Sequence, residues 1–194
     1  MGNILFKRSL ADASYVQNLF EEDDLARFRE TVSYFREYAA EYDFDYMMMV
    51  AQGYQESQLD QSKVSHRGAV GIMQLLPSTA ADKAVGIPDI SQARANVHAG
   101  IRYMRWIRDT YFDDPAIDPR SKTLMSFASY NAGPNRIARL RGRAAERGLD
   151  PNVWFRNVEI VVAEEVGRET TDYVAHIYKY YAAYRLMLEQ EAAR

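Results

Sequence analysis

The chain has 194 residues, 47% of them hydrophobic and 26% charged, which is enough to bury one full core and excludes a disordered polymer. Its 24 Lys and Arg against 27 Asp and Glu leave a formal charge of -3, so a chain built to coat nucleic acid or anionic lipid is excluded, and a partner polymer without strong charge fits better. No cysteine is present, which removes disulfides, thiolate nucleophiles and cysteine zinc sites and leaves the redox compartment open.

The run "YMMMVA" at 46–51 falls far short of the about 20 apolar residues that cross a bilayer, and the start "MGNILFKRSL" lacks a signal-peptide core. An export signal removed upstream, with Met1 and Gly2 as a vector remnant, is compatible with that start. Residues 1–24 read as a linker or vector remnant and residues 25–194 as the folded domain.

In chain order, "DLARFRETVSYFREYAAEY" at 24–42 spaces Leu25, Phe28, Val32, Phe35, Ala39 and Tyr42 by three and four, which predicts a helix capped by Asp23 or Asp24. A second helix follows Asp45, with Met48, Ala51 and Gln55 on one face and Met49, Gly53 and Glu56 on the next, so Glu56 leaves it beside the core. Residues 57–71, with Gly68 and Gly71, read as an irregular loop over the helix end. Pro77 to Val85 is expected to form a short helix closed by Gly86.

Ser91 to Phe112 repeats Val97, Ile101, Met104, Ile107 and Tyr111 at helical spacing, the longest helix in the middle of the chain. A short apolar helix through Leu124, Phe127 and Ala128 is ended by Asn131-Ala132-Gly133, and Pro134 starts the next. The last helix starts on Thr170 or Thr171 and buries Tyr173, Ile177, Tyr180, Tyr181, Tyr184 and Leu188. With no convincing strand and no repeat, the fold class is all-α, compact and irregular.

Three stretches interrupt this helical pattern with small and polar residues: "QES" at 55–57, "GAVGIMQLLP" at 68–77 and "SYNAGP" at 129–134. Brought together, they would form a groove with Glu56 on its floor, Gln74 and Asn131 as amide donors and acceptors, and Tyr130 bonded to the carboxyl. Amides and tyrosines over an apolar wall suit a sugar. Cleaving a glycosidic bond needs an acid that keeps its proton near neutral pH, and burial against Met48, Met49, Ile72 and Met73 would raise a glutamate in that direction. The bland alternative is a solvated carboxylate at a helix end.

"GYQES", "GAVGIMQLLPSTA" and "ASYNAGP", in that order, resemble the catalytic domain of soluble-type lytic transglycosylases, glycoside hydrolase family 23, over about residues 40–188. The resemblance implies the lysozyme-like helical core shared with goose-type lysozyme. The flanks are also similar to the membrane-bound lytic transglycosylase F type, which implies a missing N-terminal solute-binding-like domain and a periplasmic or outer-membrane-associated location.

Carried onto these residues, the resemblance makes Glu56 the single catalytic acid and base, with Ser57, Ser65, Gly71, Met73, Gln74, Tyr130, Asn131, Glu164 and Tyr178 as substrate-binding candidates. Met73 and Gln74 would line the groove, and Tyr130 and Asn131 would hold Glu56 and the sugar. The family pattern of an acidic residue before Glu-Thr-x-x-Tyr-Val is met by Glu169, Thr170, Tyr173 and Val174; "EEVGRET" lacks the more usual proline, and Glu159, Glu164 and Glu165 compete for the upstream acid. The implied reaction cleaves peptidoglycan glycan strands without water and uses no metal and no cofactor.

A muramidase that adds water, and a non-catalytic wall-binding module, are the alternatives. The arginines from Arg136 to Arg147 read as a solvated helix face, not a nucleic-acid site, since neither aromatics nor a basic whole accompany them. His66, His98 and His176 show no metal-ligand spacing. Most tyrosines of the last helix read as core, with Tyr178 left as a groove candidate. If the helix at 24–42 packs on an absent domain, it should show an unusually apolar outer patch.

Overall fold

The computed structural model describes residues 22–192, with side chains from 26 to 186. Among the described residues there are eight α-helices: α1 (Glu22–Glu41), α2 (Tyr46–Ser57), α3 (Pro77–Ala81), α4 (Ala93–Tyr111), α5 (Pro119–Ala132), α6 (Pro134–Glu146), α7 (Glu159–Glu165) and α8 (Arg168–Ala192). No strand forms among the described residues; isolated antiparallel bridges join Val64 to Val70 and Val70 to Leu75 in the loop after α2. The all-α expectation holds.

α2 is the axis of the molecule. Asp45 caps it by accepting the Met47 N–H at 2.9 Å, as expected. Every residue from Met47 to Tyr54 is buried, so the helix is enclosed on all sides and the two-face division read from the sequence does not apply. α1 and α8 pack directly on it. Gly53 permits the close approach of α1: a Cβ there would lie 2.8 Å from the Phe35 ring and 3.1 Å from Ile72.

Several boundaries differ from expectation. α1 is already helical at Glu22, so Asp23 and Asp24 lie within the helix and not at the position before it. Among its described side chains, the exposed ones are Ala26, Arg29, Glu30, Ser33, Arg36, Glu37, Ala40 and Glu41, so the described part of the outer face is mainly polar and shows no large apolar patch. Leu25 and Leu188 lie outside the described side chains.

α3 stops at Ala81, short of Val85, because Asp82 turns the chain: its backbone is extended (φ -59, ψ 149) and its Oδ1 accepts the Ala84 N–H at 2.9 Å. α4 starts at Ala93, two residues late, since Asp89 Oδ1 holds Ser91 in a turn through its N–H and hydroxyl. α8 starts at Arg168, so Thr170 and Thr171 sit in its first turn, both buried. Tyr173, Ile177 and Tyr184 are buried as expected, whereas Tyr180 and Tyr181 are half-buried.

The α5–α6 junction follows the sequence reading, with Gly133 at φ 96 and Pro134 opening α6. The arginines of α6 are not simply solvated. Arg141 bonds Asp114 at 2.6 Å, Arg147 bonds Glu164 at 2.5 Å, and Arg143 pairs with Glu165, which ties α6 to the loop before α5 and to α7. Between α6 and α7, an irregular turn over Trp154–Val158 puts Arg156 in a left-handed conformation (φ 60) and buries Trp154 completely.

Candidate active site

Glu56 lies in the last turn of α2, and the way that helix ends fixes where its carboxyl points. Gln58 takes a left-handed backbone (φ 60) and returns its N–H to the Tyr54 carbonyl at 2.8 Å, while Leu59 N–H reaches the Gly53 carbonyl at 3.4 Å. The Leu59 side chain, 2% exposed, then drops back into the core and locks the end. Ser57, 1% exposed, seals the same turn from below: its Oγ lies 2.9 Å from the Ile72 carbonyl and accepts the Asp60 N–H at 3.1 Å.

Glu56 is half-buried, and desolvation raises its carboxyl from 4.5 to about 7, although the Tyr173 hydrogen bond and the positive charge of Lys63 pull the other way. It therefore holds a proton over much of the neutral range and releases it without a large penalty. No second carboxylate is among the described groups acting on it. Met48, Met49, Ile72 and Met73, the expected apolar setting, are all buried in the core that contains α2.

The partner of Glu56 differs from the sequence expectation. Tyr173, from the second turn of α8, donates its hydroxyl to Glu56 Oε1 at 2.5 Å. Burial and the Glu56 charge push that phenol well above its usual range, so it stays a donor. Behind it, the fully buried Gln52 puts Nε2 3.5 Å from the Tyr173 oxygen. Tyr130, expected to hold Glu56, instead donates to the Met73 carbonyl at 2.7 Å. Burial, and to a lesser extent the Glu56 charge, push its phenol well above the usual range, so it stays a donor to that carbonyl.

The motif loop opposite is held from behind by Asn96 of α4, which is fully buried. Its Oδ1 accepts the Met73 N–H at 2.8 Å and its Nδ2 donates to the Val70 carbonyl at 2.9 Å. This also explains Gly71, whose φ is +76 and whose Cβ, if present, would lie 2.5 Å from Asn96 Nδ2. The close approach is to Asn96.

Met73 is 0% exposed, so its side chain is core and does not line a groove. Gln74, at φ 44, donates Nε2 to the Lys63 and Gly71 carbonyls at 3.1 and 2.9 Å. Ser65 Oγ accepts the Ala69 N–H at 3.0 Å. Asn131 Oδ1 accepts the Thr170 hydroxyl at 2.8 Å, pinning the end of α5 to the start of α8.

Two further candidates have other partners. Glu164 is engaged by Arg147 in an exposed pair. Tyr178 packs edge-on against Phe155 with ring centroids 5.6 Å apart. It follows Tyr173 by five positions, roughly 140° around the helix, and so points elsewhere.

Sequence reasoning missed the roles of Tyr173, Gln52 and Asn96. Tyr173 was visible in the Glu-Thr-x-x-Tyr-Val pattern but was read as core. Nothing local marks Gln52 or Asn96, since each acts across a long sequence gap. Among the described residues no cluster of three or more His, Cys, Asp or Glu is placed to hold a metal ion.

The family model described as "Transglycosylase SLT domain" matches residues 33–152, which include Glu56, the motif loop, Asn96 and Tyr130. A "Membrane-bound lytic murein transglycosylase F" from Desulfosudis oleivorans is 32% identical over 170 residues, covering 81% of this chain and 36% of the relative. A "Membrane-bound lytic murein transglycosylase F 1" from Alkalilimnicola ehrlichii is 34% identical over 132 residues, covering 68% and 25%. A further relative of the F type, from Marinobacter nauticus, is 30% identical over 184 residues, covering 88% and 35%. The chain thus spans about a third or less of the length of these relatives. With the model match extending over more than half of its residues and containing Glu56, the chain belongs to the transglycosylase SLT domain family.

Proposed function

We propose that this chain is a peptidoglycan lytic transglycosylase domain in which Glu56 acts first as acid and then as base. The observation that carries the reading is a half-buried carboxyl with a proton affinity raised to about 7, held by one phenol donor, within the stretch that the family model matches. Protonated Glu56 gives its proton to the oxygen joining N-acetylmuramic acid to N-acetylglucosamine, and the C1–O4 bond breaks. The substrate's acetamido group supports the cationic sugar. The Glu56 carboxylate then takes the proton of the C6 hydroxyl of the same muramic residue, and the C1–O6 bond closes a 1,6-anhydro ring. Water is not consumed.

The Tyr173 hydroxyl supports this cycle at its charged stage, because a donor at 2.5 Å stabilises the carboxylate more than the acid. Lys63 adds to that by charge. The groove candidates of the motif loop and the α5 end, Ser65, Gln74 and Asn131, are proposed to present polar atoms to the strand.

Residues 25–194 are proposed as the catalytic domain and residues 1–24 as linker. A solute-binding-like domain is proposed to precede it in a longer, membrane-associated protein facing the periplasm. The relatives, which are longer and called membrane-bound, support that context. No described helix is long and apolar enough to cross a membrane.

The test is release of soluble fragments from purified peptidoglycan. Glu56→Gln is expected to fold, by circular dichroism, and to release at least ~1,000-fold less, the scale on which a positioned acid and base acts. A folded Glu56→Gln chain that retains turnover would reject the assignment.

A further inference from the structure

The buried run of α2 from Met47 to Tyr54 is apolar apart from the Gln52 amide and the Tyr54 hydroxyl, and Gln52 is fully buried within it. Gln52 stands four positions before Glu56, one turn back on the same face, where both side chains meet Tyr173 of α8. The Tyr173 hydroxyl has a single hydrogen, and the 2.5 Å contact commits it to Glu56 Oε1. A group facing that phenol oxygen from another side must bring its own hydrogen. Gln52 does so through Nε2, at 3.5 Å, a long bond. With Nε2 turned to Tyr173, Gln52 Oε1 is buried with no hydrogen-bond partner among the described residues.

An unpaired buried carbonyl lowers stability, and Met or Leu would fill the same space without one. The amide is therefore unfavourable for packing alone, yet it lies against the phenol that holds Glu56.

We propose that Gln52 is a positioning residue for the proton transfers at Glu56: its amide fixes the direction of the Tyr173 hydroxyl, so the phenol gives its hydrogen to Glu56 and does not accept the acid's. The inference rests on the reading of Glu56 as acid and then base. With the amide present, protonated Glu56 finds the phenol oxygen already engaged, and its hydrogen stays free for the glycosidic oxygen. Once that proton has left, the same N–H polarises the phenol and strengthens its bond to the carboxylate. Without the amide, the phenol oxygen can accept the acid's hydrogen and turn its own away. The acid is then held back and the carboxylate is less supported, and both effects raise the pH at which Glu56 titrates. The other titratable groups coupled to Glu56 by charge, Lys63 from the loop after α2 and Tyr130 of α5, are unchanged by a substitution at Gln52.

The experiment compares the native chain with Gln52→Met, Tyr173→Phe and the double variant. Three quantities are read: kcat and KM for fragment release from soluble peptidoglycan strands across pH, the ¹³C carboxyl titration of Glu56, assigned by its loss in Glu56→Gln, and Tm. Gln52→Met is expected to lower kcat about 3- to 10-fold with KM unchanged, and to move the Glu56 titration up by about half to one pH unit. Its Tm should equal or exceed the native one, since the orphaned carbonyl is gone. On the Tyr173→Phe background the same substitution should move the titration no further, because Gln52 acts through the phenol. An unmoved titration in Gln52→Met would overturn the proposal, and so would an equal further shift on the Tyr173→Phe background. A Tm lower by more than about 5 °C, or failure to fold, would overturn it as well, by making Gln52 a packing residue. The carboxyl titration needs no substrate, so absence of released fragments from the native chain is a separate result that rejects the catalytic reading itself.

Discussion

Replacing Glu56 by Gln should change the stability of the domain in a pH-dependent way. Glu56 titrates at about 7 in the folded chain against an ordinary value of 4.5. Between those values the folded state binds more protons than the unfolded one, so stability falls as pH rises. The native contribution is complete below pH 4.5 and is lost by the time pH has passed 7. At about 1.4 kcal/mol per pH unit, the full difference is about 3 kcal/mol, most of it already lost by pH 7.

Gln keeps the shape and still accepts the Tyr173 hydroxyl, but it has no proton to lose. Glu56→Gln should therefore match the native chain within a constant offset at pH 4 and gain about 3 kcal/mol on it by pH 8, roughly 6–12 °C in Tm for a domain of this size. Urea unfolding followed by circular dichroism, at half-unit steps from pH 4 to 8, measures this directly. A stability difference that stays flat over that range, or that turns against the variant as pH rises, would refute the claim that burial raises Glu56.

Removing the donor should move the same titration further. Tyr173→Phe strips the bond that lowers Glu56, so its pKa should rise above the native value, shifting the pH profile of fragment release toward alkaline pH and reducing its maximum; an unmoved profile would deny the contact a catalytic role. Gly71→Ala should destabilise the domain by more than about 2 kcal/mol, because the alanine must adopt φ +76 and displace Asn96; denaturant unfolding within about 0.5 kcal/mol of native would contradict this. Asn96→Leu should cost roughly 2–4 kcal/mol by orphaning the Met73 N–H and the Val70 carbonyl, and should raise amide exchange across residues 70–73. Arg147→Ala, which removes solvent-facing pairs with Glu164 and Glu165 while Arg143 still holds Glu165, should cost less than about 1 kcal/mol in the same unfolding assay.

The helices were legible because their apolar spacing repeats: Val97, Ile101, Met104 and Ile107 are all fully buried, as the period of α4 requires. Glu56 was legible as a carboxyl at a helix end followed by glycine-rich sequence. What the sequence did not expose is which tyrosine reaches it. Tyr130 and Tyr173 lie 74 and 117 positions beyond Glu56, and no periodicity ranks two such distant partners. Packing of α8 on α2 makes the choice. Helix boundaries were misread where a short side chain captures a nearby N–H, as Asp82 does at the end of α3 and Asp89 before the start of α4, since such turns compete with the helix on near-equal terms. Met73 was misassigned because its motif neighbours are polar, whereas its own side chain packs against Gly100 in the core.

Product analysis in ¹⁸O-labelled water tests the central claim most directly, because it asks whether the sugar cation formed at Glu56 is closed by its own C6 hydroxyl or by solvent. Muropeptides released by this chain should carry no label and weigh one water less than hydrolysis products. Label at the reducing-end C1 would mean that Glu56 activates water instead and that the domain is a hydrolytic muramidase.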